Sequence, residues 1–244
     1  MDRQFDAELN VLNEKLLHMA RLAEESVARA VQGLQNRNEE PAQEVFKKET
    51  EINLLEIEID ELCMKLLALR QPVAGDLRFI TSAMKIGSDL ERVGDLAVNI
   101  AEVSVELLKI PPLKPLLDIP RLAMLAQGMI KDSLNAFVNR DEKLARSVCE
   151  RDDEIDSLND QIFRELLTYM MNDPKTINRA VGLILIGRHL ERIADHATNI
   201  GEDVIYLVLG KTIKHHIEEI RRESLTRHRA DGAGARLAIF WGSI

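Results

Sequence analysis

Residues 87-GSDLERVGDLAVNIAE-102 return one hundred positions later as 187-GRHLERIADHATNIGE-202. On a helix, with about 100° between successive residues, Glu91, Asp95, Asn99 and Glu102 fall on one stripe, and Val93, Leu96, Ile100 and Val103 fall opposite. The second copy repeats both sides, with Glu191, Asp195, Asn199 and Glu202 against Ile193, Ala197, Ile200 and Val204. A charged stripe alone reads as the solvated face of an amphipathic helix, turned away from the core. Like charges four residues apart are unfavourable on an isolated helix, however, and no lysine stands at that spacing to relieve them. The acidic side is nonetheless kept in both copies.

The repeat extends outward from these stretches. The segment 49-ETEINLL-55 answers 152-DDEIDSL-158, and 65-KLLALRQP-72 answers 165-ELLTYMMNDP-174. Almost throughout the chain the apolar residues recur at helical spacing, as in Leu9, Leu12, Leu16, Met19, Leu22 and Ala23 of the first segment, and helix breakers partition the pattern. Breaks at 36–41 and 72–75 separate three helices in the first half. The only proline cluster, 110-IPPLKPLLDIP-120, separates the halves. The second half predicts a helix to about Asn139, one from Glu142 to Asn172, and a last one from Thr176 to about Arg229. A duplicated unit follows: an all-α chain of two tandem, pseudo-symmetric three-helix bundles, over 1–112 and 113–222, of six helices in all. The remainder, 223–244, ends in DGAGARLAIFWGSI and has no counterpart in the first half; it reads as a disordered end, with a tail that docks Phe240 and Trp241 as the alternative.

Composition agrees with helices. Of 244 residues 45% are apolar and only 4% aromatic, so a large core is available without sheet-forming residues. The net charge of −9 disfavours nucleic acid as a partner, because phosphate backbones are gripped by clustered lysine and arginine. Cys63 and Cys149 have no Cys-x-x-Cys spacing and read as reduced thiols of a cytoplasmic protein. The start, MDRQFDAELN, is not a signal peptide, and the apolar runs 180–187 and 203–210 are too short to span a bilayer.

The helix before each repeated stretch adds further acids at the same spacing: Glu49, Asn53, Glu56 and Asp60 in the first half, Asp152, Asp156 and Asp160 in the second. Two acidic stripes can therefore meet along one groove in each bundle. Carboxylates packed so closely repel unless a cation sits among them or some take up protons. The donors are all oxygen, which favours hard ions such as Mg²⁺, Ca²⁺, Mn²⁺ or iron over zinc or copper. Redox di-iron bundles use Glu-x-x-His, but Ala194 stands three residues after Glu191, and His196 projects toward the apolar side.

These residues, with 70-RQPVAGDLR-78 before the first copy and 169-YMMNDPKTI-177 before the second, closely resemble the PhoU family of phosphate-uptake regulators. The resemblance runs from about residue 5 to residue 215. It implies two three-helix bundles whose E/D-x-x-x-D motifs bind multinuclear metal clusters, of iron or other ions such as Mg, Mn, Ca or Zn. Carried over, the first site uses Glu49, Glu91 and Asp95 with Asn53 at the fourth position, and the second uses Asp152, Asp156, Glu191 and Asp195. Asn53 departs from the acid at 156, so the first site has one charge fewer. The resemblance also implies no catalysis. It implies a cytoplasmic, homodimeric adaptor that restrains a phosphate-sensing histidine kinase through the ATPase subunit of the phosphate transporter, reaching the membrane only through these partners. Arg70, Arg78, Arg92 and Arg192 either contact partners or neutralise the acids; Arg92 and Arg192, beside the stripes, suit the second role.

Two rival readings remain. A metal-dependent hydrolase lacks a shared histidine, since His18, His189, His196, His215, His216 and His228 match no position between copies, and no glycine-rich phosphate loop precedes Gly210-Lys211. A metal-free adaptor would present the same acidic face to a basic partner.

Overall fold

A computed structural model describes residues 3–211, which form seven α-helices and one 3₁₀ turn. The helices are α1 (Arg3–Asn36), α2 (Glu40–Arg70), α3 (Ala74–Leu108), α4 (Asp118–Asn139), α5 (Glu142–Glu150), α6 (Asp152–Asn172) and α7 (Ile177–Leu209), with the 3₁₀ turn at Pro174–Thr176. Among the described residues there is no strand, so the chain is all-α.

Matching turns make the duplication visible. The loops 36-NRNEE-40 and 139-NRDEK-143 each place an arginine in the left-handed region, Arg37 at φ 52° and Arg140 at φ 51°. An Asx side chain follows in both: Asn38 Oδ1 accepts from Glu40 N at 3.1 Å, and Asp141 Oδ1 caps α5 from Lys143 N and Leu144 N at 3.0 and 3.1 Å.

The structure corrects two helix boundaries. The helix expected over Glu142–Asn172 is broken at Arg151, whose N–H turns back to Val148 O at 3.1 Å while its side chain holds Ser147 O and Asp132. No glycine or proline marks this break, so a breaker-based reading runs through it. The last helix, expected to reach about Arg229, ends at Leu209, capped by Gly210 at φ 65°. The rest of that expected helix past 211, and the tail 223–244, lie outside the described residues.

The described residues up to Gly210 pack as one compact unit. At its centre α3 and α7 run antiparallel. Arg78 Nε reaches Leu207 O at 3.1 Å, Lys85 pairs with the buried Asp203 at 3.1 Å, and Asp89 meets His196 Nδ1 at 2.8 Å, stepping down α7 as they step up α3. Helix α2 flanks α3, α6 flanks α7, and α1 and α4 back the pair. The apolar stripes read from the sequence enter the core: Val93, Ile100, Ile193, Ala197, Ile200 and Val204 are fully buried. Each large aliphatic side chain so placed contributes about 1.5–3 kcal/mol.

Two glycines let the flanking helices come close. A Cβ on Gly94 would stand 3.1 Å from Ile52 Cδ1 across the α2–α3 seam, and one on Gly187 would stand 2.6 Å from Asn159 Oδ1 across α6–α7. The acidic stripes of each half are thereby brought face to face.

Candidate functional site

The acids lie in two grooves, one between α2 and α3 and one between α6 and α7. They are less outward than the helical projection predicts: Glu91 is only 17% exposed, because α2 closes over it. In the first groove Asn53 Nδ2 donates to Glu49 Oε1 at 3.4 Å, and across the seam stand Glu91 and Asp95. Burial pushes the Glu91 carboxyl above the ordinary range; the Asp95, Glu56 and Glu49 charges add to that, and Arg92 opposes it. Burial likewise raises Glu56, with Asp60 and Asp95 repelling it. Arg92 lies 3.2 Å from Asp95 and 3.5 Å from Glu91, which is the neutralising position expected of it. Arg70 instead pairs with Glu8 at 3.0 Å, away from the groove.

The second groove brings Asp152, Asp156, Glu191 and Asp195 into mutual repulsion. Burial pushes Asp152 up to about 6, with Asp195 and Asp156 adding and a hydrogen bond from Thr198 Oγ1 at 3.4 Å opposing. Glu191 and Asp195 are also raised, first by burial and then by Asp156. Arg188 offsets the rise at Glu191, and His196 and Arg192 offset it at Asp195. His196, expected toward the apolar side, lies largely covered at the α3–α7 joint, where Nδ1 meets Asp89 at 2.8 Å.

Two residues of this groove escape the sequence reading. Asn159 Nδ2 donates to Glu191 Oε2 at 2.7 Å, and Thr198 holds Asp152. Asn159 lies one turn beyond Asp156 on α6, at the position that Glu56 occupies on α2, so the comparison of copies offers a signal for both. Thr198 replaces Val98, and that difference alone marks it.

The donor set suits a hard cation, and one atom is poised for it: Asn53 Oδ1 is buried in the first groove and accepts no hydrogen bond among the described residues. Convergence is incomplete, since among the described residues no three His, Cys, Asp or Glu side chains stand close enough to hold one ion as they lie. The grooves therefore have the charge and chemistry of cation sites with side chains still splayed.

An all-α duplicated unit with one acidic groove per copy defines a class of helical tandem-repeat proteins, and no described helix is long and apolar enough to cross a membrane. The family model for the PhoU domain matches the chain twice, over residues 16–104 and 119–204. The chain belongs to the PhoU family. A phosphate-specific transport system accessory protein PhoU homologue of Aquifex aeolicus is 46% identical over 213 residues, covering 87% of this chain and 96% of that protein. A homologue of the same description from Caulobacter vibrioides is 39% identical over 212 residues, covering 86% of this chain and 92% of that protein. The crystal structure of PhoU from Pseudomonas aeruginosa superposes with a TM-score of 0.82 at 41% identity, over 85% of this chain and all of that one. The phosphate transport system regulatory protein PhoU from Streptococcus pneumoniae does so with a TM-score of 0.79 at 31% identity, over 86% and 99%.

Proposed function

We propose that the protein is a non-catalytic negative regulator of phosphate uptake and of phosphate-starvation signalling. In this reading it works in the cytoplasm, as a homodimer, as an adaptor between the ATPase subunit of the phosphate transporter and a phosphate-sensing histidine kinase. Metal clusters, of iron or another hard ion, occupy the two acidic grooves and join the carboxylates that otherwise repel. The observation that carries this reading is the pair of half-buried acid grooves kept in both copies, in a chain whose relatives are named for the phosphate-specific transport system. Glu49, Asn53, Glu91 and Asp95 would hold the first cluster, and Asp152, Asp156, Glu191 and Asp195 the second. Such ions tie helices together and neutralise charge; oxygen ligands in this number suit that role.

Deleting the gene and following a phosphate-starvation reporter in high phosphate tests the regulatory role. Loss of repression is expected, and unchanged repression removes the proposal. Complementing the deletion with Glu191→Ala/Asp195→Ala then asks whether the second groove is needed. A second reading, a metal-free adaptor that shows its acids to a basic partner surface, is favoured by the splayed side chains. Elemental analysis separates the two: stoichiometric metal that falls in the double variant supports the clusters, and metal well below stoichiometry in both proteins supports the bare acidic face.

A further inference from the structure

The connector between the copies, residues 109–117, carries Pro111, Pro112 and Pro115 and cannot continue as helix. It passes the ends of α1, α3 and α7 and with them lines a half-open cavity of about 480 Å³. Small-molecule sites commonly span about 300–1,000 Å³, apolar with a few polar groups. Leu34, Leu107 and Leu183, all nearly buried, make its floor. Arg37 and Arg179 stand among its lining residues. Arg37 turns back from its left-handed position to donate to Leu108 O and Ile110 O at 2.7 and 2.8 Å, and Arg179 reaches Pro111 O at 3.4 Å. Both guanidiniums are thus held in place by backbone carbonyls, and neither has a carboxylate partner among the described residues. Lys114, the third cation of the lining, is by contrast neutralised between Asp118 and Glu165.

The other end of the duplicated unit shows what this place holds when it is filled. There Arg140 stands in the position of Arg37, Phe137 in that of Leu34, and Phe79 in that of Arg179. Phe79 and Phe137 stack with centroids 5.1 Å apart and planes 17° from parallel, and Arg140 lies 6.0 Å over the Phe79 ring. The aromatic pair fills the space between those helix ends and gives its arginine a partner, leaving beside Phe79 and Arg140 a cavity of about 220 Å³, less than half that at the connector. At the connector end a leucine and a second arginine take the places of the two rings, leaving volume and charge together.

We propose that the connector cavity binds a small organic anion with an apolar body, its head on Arg37 and Arg179 and its body on Leu34, Leu107 and Leu183. Carboxylate and phosphate heads share this chemistry, since a guanidinium fork matches both. The site rests on the cavity alone, independent of any regulatory role.

The test titrates the full chain with decanoate and decyl phosphate below their critical micelle concentrations and with decanol below its solubility limit, and follows leucine methyl resonances. The anions are expected to move the Leu34, Leu107 and Leu183 methyls saturably and to bind about tenfold or more tighter than decanol, the margin charge-assisted bonds give. The tighter of the two anions assigns the head group. Arg179→Gln should remove that margin while leaving decanol unchanged, and Leu34→Phe/Arg179→Phe, which copies the aromatic pair of the other end, should abolish the Leu107 and Leu183 shifts. Should the double variant not fold, Arg179→Gln alone decides. Absence of shifts with either anion, shifts centred on other methyls, equal binding of decanol, or anion affinity unchanged in Arg179→Gln would overturn the site.

Discussion

In the second groove Asp152 lies half-buried against Asp195 and Asp156, and its carboxyl keeps its proton up to about pH 6. An unfolded chain releases that proton near pH 3.9. Because the folded value is the higher one, the stability linked to Asp152 is fully present below about pH 4 and is lost as pH rises through about 6. In chelator, Asp152→Asn should therefore melt above the parent at pH 7.5, by about 2–4 °C for each kcal/mol of relieved repulsion in a chain of this size, and the gap should close toward pH 4. Thermal melts across that range check it; parallel curves would refute it. At the place in the first copy that matches Asp156, Asn53→Asp adds a carboxylate beside Glu49 and Glu91, so it should lower the melting temperature in chelator and raise Mn²⁺ affinity by calorimetry. Which residues share a stripe was legible in the sequence, because azimuth on a helix follows from spacing. Depth was not, because the closure of α2 over Glu91 depends on a neighbour that a single-helix projection does not contain.

At the scale of the elements, helix spacing is set where a side chain is missing. A methyl on Gly187 would collide with the Asn159 amide at 2.6 Å, and that amide is bonded to Glu191. Gly187→Ala gains about 1 kcal/mol of helix propensity while displacing Asn159. The expected result is a melting temperature near the parent's with weakened metal binding, and unchanged metal affinity would show that Asn159 has no part in holding Glu191. Arg151 marks another element-scale feature, the kink between α5 and α6. Arg151→Ala loses the 2.7 Å bridge to Asp132, a half-exposed pair worth about 0.5–1 kcal/mol, so a fall of a few degrees in the melt is expected. The six-helix plan was readable from periodicity, prolines and the repeat. The kink was not, since it is made by tertiary bonds from an arginine rather than by a breaker residue.

Over the whole molecule, the two halves meet through α3 and α7, where the repeat is clear but the residues facing across the joint differ between the copies. Lys85 faces the buried Asp203, whereas the equivalent residues are Leu185 and Val103. Lys85→Leu alone should cost about 1–3 kcal/mol, the penalty for withdrawing a partner from a buried acid. The double variant Lys85→Leu/Asp203→Val places the aliphatic residues of the equivalent positions at this joint, removes the buried acid with its partner, and should regain most of that loss. Urea unfolding of the two variants and the parent measures the coupling, and additive losses would show that the pair is independent.

That ion pair also bears on the descent of the chain. A symmetric ancestor would have joined two identical units, each able to take either place at the joint. Once a lysine belongs to one copy and its acid to the other, sequence exchange between the halves sets Lys85 against an aliphatic residue or takes the lysine away from Asp203. The copies have ceased to be interchangeable, and selection on each can then proceed separately. One end could keep its aromatic plug while the other opened, and one groove could shed a charge that the other retained.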